Sequence, residues 1–142
     1  MRLDSVLYTA TATAEGGREG RAYSSDGALD LVVSMPKEFG GAGAGTNPEQ
    51  LFAAGFAACF HSALQLVARK ARHDVTDSTV TGSVAIGPLA AGPGYGLEVG
   101  LRVRIPGTPR EVADQLVAQA DAVCPYSNAT RGNIRVTHEV VD

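Results

Sequence analysis

The stretch from Asn47 to Arg72, NPEQLFAAGFAACFHSALQLVARKAR, decides how the rest of the chain is read. Asn47 suits a helix N-cap, and Pro48 suits the first helical position, where its missing N–H would be unpaired in any case. Glu49 complements the positive end of the helix dipole. From there to Arg72 no proline interrupts. Leu51, Phe52, Gly55, Phe56, Cys59, Ala63, Leu66 and Val67 recur at spacings of three and four, the period of a helix. The first half is apolar almost all round, which predicts a central, buried helix. The basic run Arg69, Lys70, Arg72 suits its negative C-terminal end.

Outward from this helix, both flanks read as strands. On the N-terminal side Leu3–Thr13 is a β-compatible run with Val6 and Tyr8. The turn Glu15-Gly16-Gly17, the run Gly20–Ser25, the turn Ser25-Asp26-Gly27 and the run Leu29–Ser34 follow, predicting an antiparallel meander. Pro36 ends it, and Gly40–Gly45 forms a glycine-rich loop. On the C-terminal side Thr79–Gly87 and Leu97–Ile105 alternate as strands across a Gly/Pro loop, Pro88–Gly96. Pro109-Arg110-Glu111 opens a second helix to about Val123, Pro125 stops it, and Ile134–Val140 closes as a strand. The expected fold is α+β, with antiparallel sheets around the long helix and the second helix, as one domain over residues 1–142.

Composition excludes several function classes. Hydrophobic residues make up 44% of the 142 and charged residues 19%, which suits a globular chain with a core. A net charge of −3 provides no general attraction to nucleic acid or anionic lipid, and 6% aromatics without Trp is poor material for stacking bases. The N-terminus lacks the apolar stretch and cleavage site of a signal peptide, and no uninterrupted apolar run approaches the ~20 residues that cross a bilayer. The expectation is a cytoplasmic protein with no membrane or nucleic-acid partner. In that reducing setting two cysteines are either inert filler or chemistry.

Cys59 and Cys124 form neither a C-x-x-C motif nor a zinc site. Cys59 lies mid-helix, where burial raises a thiol pKa, and Cys124 lies at a helix C-terminus, where the dipole disfavours a thiolate. If either is a nucleophile, a cation must come from elsewhere in the fold. His61, His73 and His138 lack metal-ligand spacing, and His61 reads as a surface or core-edge residue. Gly40–Thr46 lacks the lysine of a phosphate-binding loop.

Four motifs occur in order along the chain: Gly16-Gly17-Arg18, Thr46-Asn47-Pro48-Glu49-Gln50-Leu51-Phe52-Ala53, Ala58-Cys59-Phe60 and Cys124-Pro125-Tyr126-Ser127-Asn128-Ala129. Each is weak alone, but together they resemble the organic hydroperoxide resistance proteins of the OsmC-like superfamily, from Tyr8 to Val140. The resemblance implies a thiol peroxidase with no metal or bound organic cofactor. Cys59 matches the peroxidatic cysteine, Cys124 the resolving cysteine, and Arg18 and Glu49 the pair that activates the thiolate. It also implies an organic hydroperoxide substrate, a dithiol reductant (a lipoylated protein or dihydrolipoamide) and an intertwined homodimer. Glu49 and Cys59 are ten residues apart on one helix, roughly 15 Å along its axis. Arg18 and Glu49 are therefore expected to serve the Cys59 of a partner chain.

Blander readings stand beside these. Helix-start electrostatics explains Glu49, and Arg18 after two glycines suits a solvated turn. Phe52, Phe56 and Phe60 suit core or dimer packing, and some of them suit the wall of an apolar substrate channel. Tyr126 and Asn128 suit either the pocket or a turn after Pro125. The rival functions are an OsmC-type peroxidase of broader preference, and a non-catalytic binder of apolar ligands or a redox sensor.

Overall fold

The computed structural model describes residues 1–142, which fall into two compact units, Met1–Pro48 and Glu49–Asp142. The fold is α+β, with two three-stranded sheets and three α-helices.

The first unit is the expected meander, β1 (Ala12–Glu15), β2 (Gly20–Ser24) and β3 (Asp30–Val33), paired antiparallel in the order β1-β2-β3. Both turns follow from local chemistry. Gly16 and Gly17 take positive φ, and a Cβ at Gly20 would come within 1.9 Å of the Glu15 carbonyl oxygen, so the first turn is built on glycine. In the second, Ser24 Oγ donates to Asp26 Oδ1 at 2.6 Å and accepts from the Leu29 amide at 2.9 Å. The first strand is shorter than the Leu3–Thr13 run suggests. The Ser25 amide still donates to the Thr11 carbonyl, but the chain then turns at Asp26-Gly27, leaving residues before Thr11 no strand to pair with. Leu7 and Tyr8 are 96% and 78% exposed.

In the second unit α1 (Pro48–Lys70) ends two residues before the expected Arg72. Arg72 adopts φ 58°, its amide donates to the Arg69 carbonyl, and the His73 amide donates to the Ala68 carbonyl. That pair of bonds is a Schellman stop in which arginine takes the place usually held by glycine. β4 (Thr79–Pro88) and β5 (Tyr95–Arg104) form the expected antiparallel hairpin. α2 (Arg110–Val123), a further short helix α3 (Pro125–Thr130) and β6 (Val136–Val141) follow. Antiparallel pairing holds for β1–β2, β2–β3 and β4–β5, whereas β6 joins β5 in parallel. The helical connection after β5 brings the chain back to the end from which β5 started, so β6 must run alongside β5.

The core joins α1 (Phe56, Phe60, Leu64, Ala68), β5 (Val99, Leu101, Val103) and α2 (Ala113, Leu116, Ala120) in one cluster. By length and composition α1 alone would qualify to span a membrane, a property core helices share; Phe56, Phe60, Leu64 and Ala68 on it are fully buried inside this unit. Gly82 of β4 faces the same helix. A Cβ there would stand 2.8 Å from the Ala53 carbonyl oxygen, so glycine sets how closely sheet and helix approach.

Candidate active site

Two elements of the second unit carry the two sulfurs to one place. Cys59 is on α1, seven residues after Phe52 and three after Phe56, hence on the same side of the helix. Cys124 is the hinge between helices: its amide donates to the Ala120 carbonyl, and its own carbonyl accepts from the Asn128 amide. Pro125 does more than stop α2, as it occupies the first turn of α3. The turn expected after Pro125 is therefore a helix. The sequence signal was present, since a proline that ends one helix is also suited to begin the next.

The thiols are 3.7 Å apart, Cys124 Sγ donating to Cys59 Sγ, with no disulfide between them. Cys124 is fully buried, whereas Cys59 is half-buried and opens into a cleft of about 450 Å³. Ser62, Leu66 and Arg69 of α1 and Val123 and Pro125 of the α2–α3 junction line it. Burial pushes the Cys59 thiol up from its ordinary pKa, and the neighbouring Cys124 pushes the same way. A hydrogen bond from the Tyr126 backbone, in the first turn of α3, opposes both. The local setting thus favours the neutral thiol, as expected for a mid-helix cysteine.

The aromatic residues divide. Phe52, Phe56 and Tyr126 form a cluster with ring centroids 5.6–6.3 Å apart. A Cβ at Gly55 would meet the Tyr126 hydroxyl at 3.1 Å, so glycine makes room for this ring against α1. Phe60 turns inward, fully buried, with its ring 5.3 Å from that of His138. Phe56 is also fully buried, which places core packing first among its roles. None of the four aromatic candidates lines the open cleft beside Cys59.

Three further polar groups brace this region, of which only Arg131 was not singled out by sequence reasoning. Arg131, just past α3, donates to Asn128 Oδ1 at 2.5 Å, to the Asp121 carbonyl at 2.8 Å and to Asp121 Oδ2 at 3.1 Å. It therefore ties the last turn of α2 to the end of α3, across the Cys124 hinge. His138 Nε2 approaches Asp121 Oδ1 at 3.3 Å. His61 is half-buried, as expected of a core-edge residue, and its Nε2 is 2.9 Å from Ser78 Oγ. No trio of His, Cys, Asp or Glu is arranged to hold a metal ion.

Arg18 lies in the β1–β2 turn of the first unit, two residues before β2. Glu49 is the second residue of α1 and half-buried, ten residues ahead of Cys59.

The sequence profile of the OsmC-like protein family matches residues 40–139. The chain is 54% identical over 136 residues to the organic hydroperoxide resistance protein of Xanthomonas axonopodis pv. citri, covering 94% of each. It is 51% identical over 145 residues to the organic hydroperoxide resistance protein OhrA of Bacillus subtilis, covering 99% of this chain and all of the relative. Among solved structures, an organic hydroperoxide resistance protein from Elizabethkingia anophelis superposes with a TM-score of 0.91 at 50% identity, covering 96% of this chain and 98% of that one. OhrB of Bacillus subtilis superposes with a TM-score of 0.88 at 44% identity, covering 96% of this chain and all of that one. The chain therefore belongs to the OsmC-like family, on the side of the organic hydroperoxide resistance proteins.

Proposed function

We propose that this protein is a cysteine peroxidase that reduces organic hydroperoxides, of fatty-acid type, to alcohols. The observation that carries the reading is the pair of sulfurs 3.7 Å apart, one facing a cleft and one buried. The Cys59 thiolate attacks the distal peroxide oxygen, the O–O bond breaks, and the alkoxide leaves as the alcohol after taking a proton. Cys59 is then a sulfenic acid. The Cys124 thiol attacks its sulfur, water leaves, and a Cys59–Cys124 disulfide forms. A dithiol reductant, lipoylated protein or dihydrolipoamide, restores both thiols by exchange and becomes a disulfide itself. A small movement suffices for the bond, since a disulfide needs its sulfurs about 2.05 Å apart.

The local setting of Cys59 disfavours the thiolate, so the mechanism needs a cation. Arg18 supplies it in this reading: its guanidinium stays charged at any working pH, and Glu49 orients it through a two-pronged pair. The roughly 15 Å of helix between Glu49 and Cys59 argues that Arg18 and Glu49 act on the Cys59 of a second copy. An intertwined homodimer also gives the exposed apolar side chains of Leu3, Val6, Leu7 and Tyr8 a surface to cover them. We read residues 1–142 as a single functional domain, because curated relatives align along 94–99% of the chain. Phe52 and Tyr126 lie outside the cleft lining and are kept as packing around the site, and in this reading the protein works in the cytoplasm without metal or organic cofactor.

The test is intact mass after the reduced protein meets one equivalent of cumene hydroperoxide. Wild type should lose two hydrogens, Cys124→Ser should yield a trappable sulfenic acid, and Cys59→Ser should not react. Unchanged wild-type mass over minutes would replace this reading with a non-catalytic binder of apolar ligands.

A further inference from the structure

The cleft beside Cys59 is chemically graded. Its nucleophile stands at one end, and Leu66 and Val123 form an apolar wall, 41% and 46% exposed. Arg69 lies ten residues further along α1 than Cys59, roughly 15 Å along the helix axis. Arg69 is exposed, and the ion pairs of this unit (Arg102–Glu139, Arg110–Asp114, Arg131–Asp121 and His138–Asp121) do not use it. No carboxylate lines the cleft to neutralise it.

We infer that Arg69 is a specificity-determining residue, the subsite that binds the remote carboxylate of a fatty-acid hydroperoxide whose peroxide group is at Cys59. The inference rests on the peroxidase reading above and adds to it the residue that recognises the far end of the substrate. A thiolate at Cys59 requires the peroxide at that end of the cleft. The apolar wall takes the chain between, where burying methylenes favours binding. The far end then receives whatever the chain carries, and an arginine with no internal partner selects an anion whose geometry matches its fork. A short or neutral hydroperoxide reaches Cys59 but leaves Arg69 unused. The contact is remote from the breaking O–O bond, so it is the same in ground and transition states and acts on KM, not on kcat.

The experiment is steady-state turnover by the full chain of three substrates: a long-chain fatty-acid hydroperoxide, its methyl ester, and cumene hydroperoxide. Wild type should show a lower KM for the acid than for the ester, and the gap should narrow as salt rises. Arg69→Gln should raise KM for the acid about 3- to 10-fold, the size expected of a solvent-accessible pair, with kcat and both neutral substrates unchanged. Arg69→Lys should recover part of the loss. A second readout is independent of turnover: oleate, but not methyl oleate, should slow alkylation of Cys59 in wild type, and Arg69→Gln should lose that protection. Equal KM for acid and ester in wild type, an Arg69→Gln effect shared by all three substrates, or oleate protection that survives the substitution would overturn the subsite. Failure of wild type to turn over cumene hydroperoxide would instead overturn the peroxidase reading.

Discussion

The two units of this chain are held by different forces. In the second, α1, β5 and α2 share a continuous buried core that includes Cys124 itself. In the first, the strands are mostly exposed and Val33 is their one fully buried apolar residue. Its organisation comes from glycine turns, the Ser24–Asp26 turn and an exposed two-pronged Arg21–Asp30 pair whose guanidinium also lies 4.4 Å from the centre of the Tyr23 ring. The difference bears on function. A sulfur pair must be placed to within about half an ångström to react, and a packed core provides that. In the proposed reading the activating guanidinium of Arg18 stands on a segment held by turns, whose opening costs little.

The contrast can be broken or sharpened in several ways. Leu101→Ala, in the core of the second unit, should cost about 2–5 kcal/mol in urea unfolding, while Val32→Ala, on the first sheet and 64% exposed, should stay within about 0.5 kcal/mol. Comparable losses at both positions would mean that the first unit has a core of its own, supplied by a second copy.

Arg18→Ala should lower peroxidase turnover at neutral pH about 10²-fold while leaving stability nearly unchanged. Its pH profile should also move. Only the thiolate reacts, and burial raises the Cys59 pKa, so without the cation the rise in alkylation rate should shift to higher pH, above the ordinary cysteine range. The same sign holds for folding: the neutral buried thiol contributes stability below the unfolded cysteine pKa, and this is lost as pH rises through the folded value. Mixing Arg18→Ala with Cys59→Ser chains should restore turnover if the site is shared between copies, and an inactive mixture would place it within one chain.

Gly20→Ala should cost about 1–3 kcal/mol or displace the β1–β2 turn, because its Cβ has no room beside the Glu15 carbonyl. The expected signature is lost peroxidase activity with near-normal near-ultraviolet dichroism of the aromatic cluster in the second unit. Smaller and opposite in sign, Arg72→Gly should stabilise by about 0.5–1 kcal/mol by relieving the left-handed stop of α1, read as a raised melting temperature. Asp30→Asn is the smallest. Its carboxyl is held below the usual range by Arg21, so what stability the pair adds is present above the unfolded aspartate pKa and fades as pH falls. Because the pair is exposed, the substitution should leave the urea midpoint almost unchanged at pH 7 and have no effect at pH 2.

Periodicity and punctuation were enough to read α1, both turns of the meander, the β4–β5 hairpin and α2, because each is dictated by residues within a few positions of one another. The candidate cysteines, Arg18 and Glu49 were legible through four short motifs taken in order. What the chain could not display locally was pairing at a distance. Leu3–Thr13 has the composition of a strand, yet only Ala12–Glu15 pairs, because β2 turns away at Asp26-Gly27. The parallel direction of β6 depends on the path of two intervening helices, and the 3.7 Å approach of Cys124 to Cys59 depends on Pro125 starting α3 where it ends α2. The cleft from Cys59 to Arg69 likewise exists only once the α2–α3 junction packs beside α1. Backbone propensity and side-chain period act over a turn or two, and so belong to the sequence alone. The register of strands, the meeting of two sulfurs 65 positions apart and the charge at the end of a cleft come from burying one shared core, which only the folded chain defines.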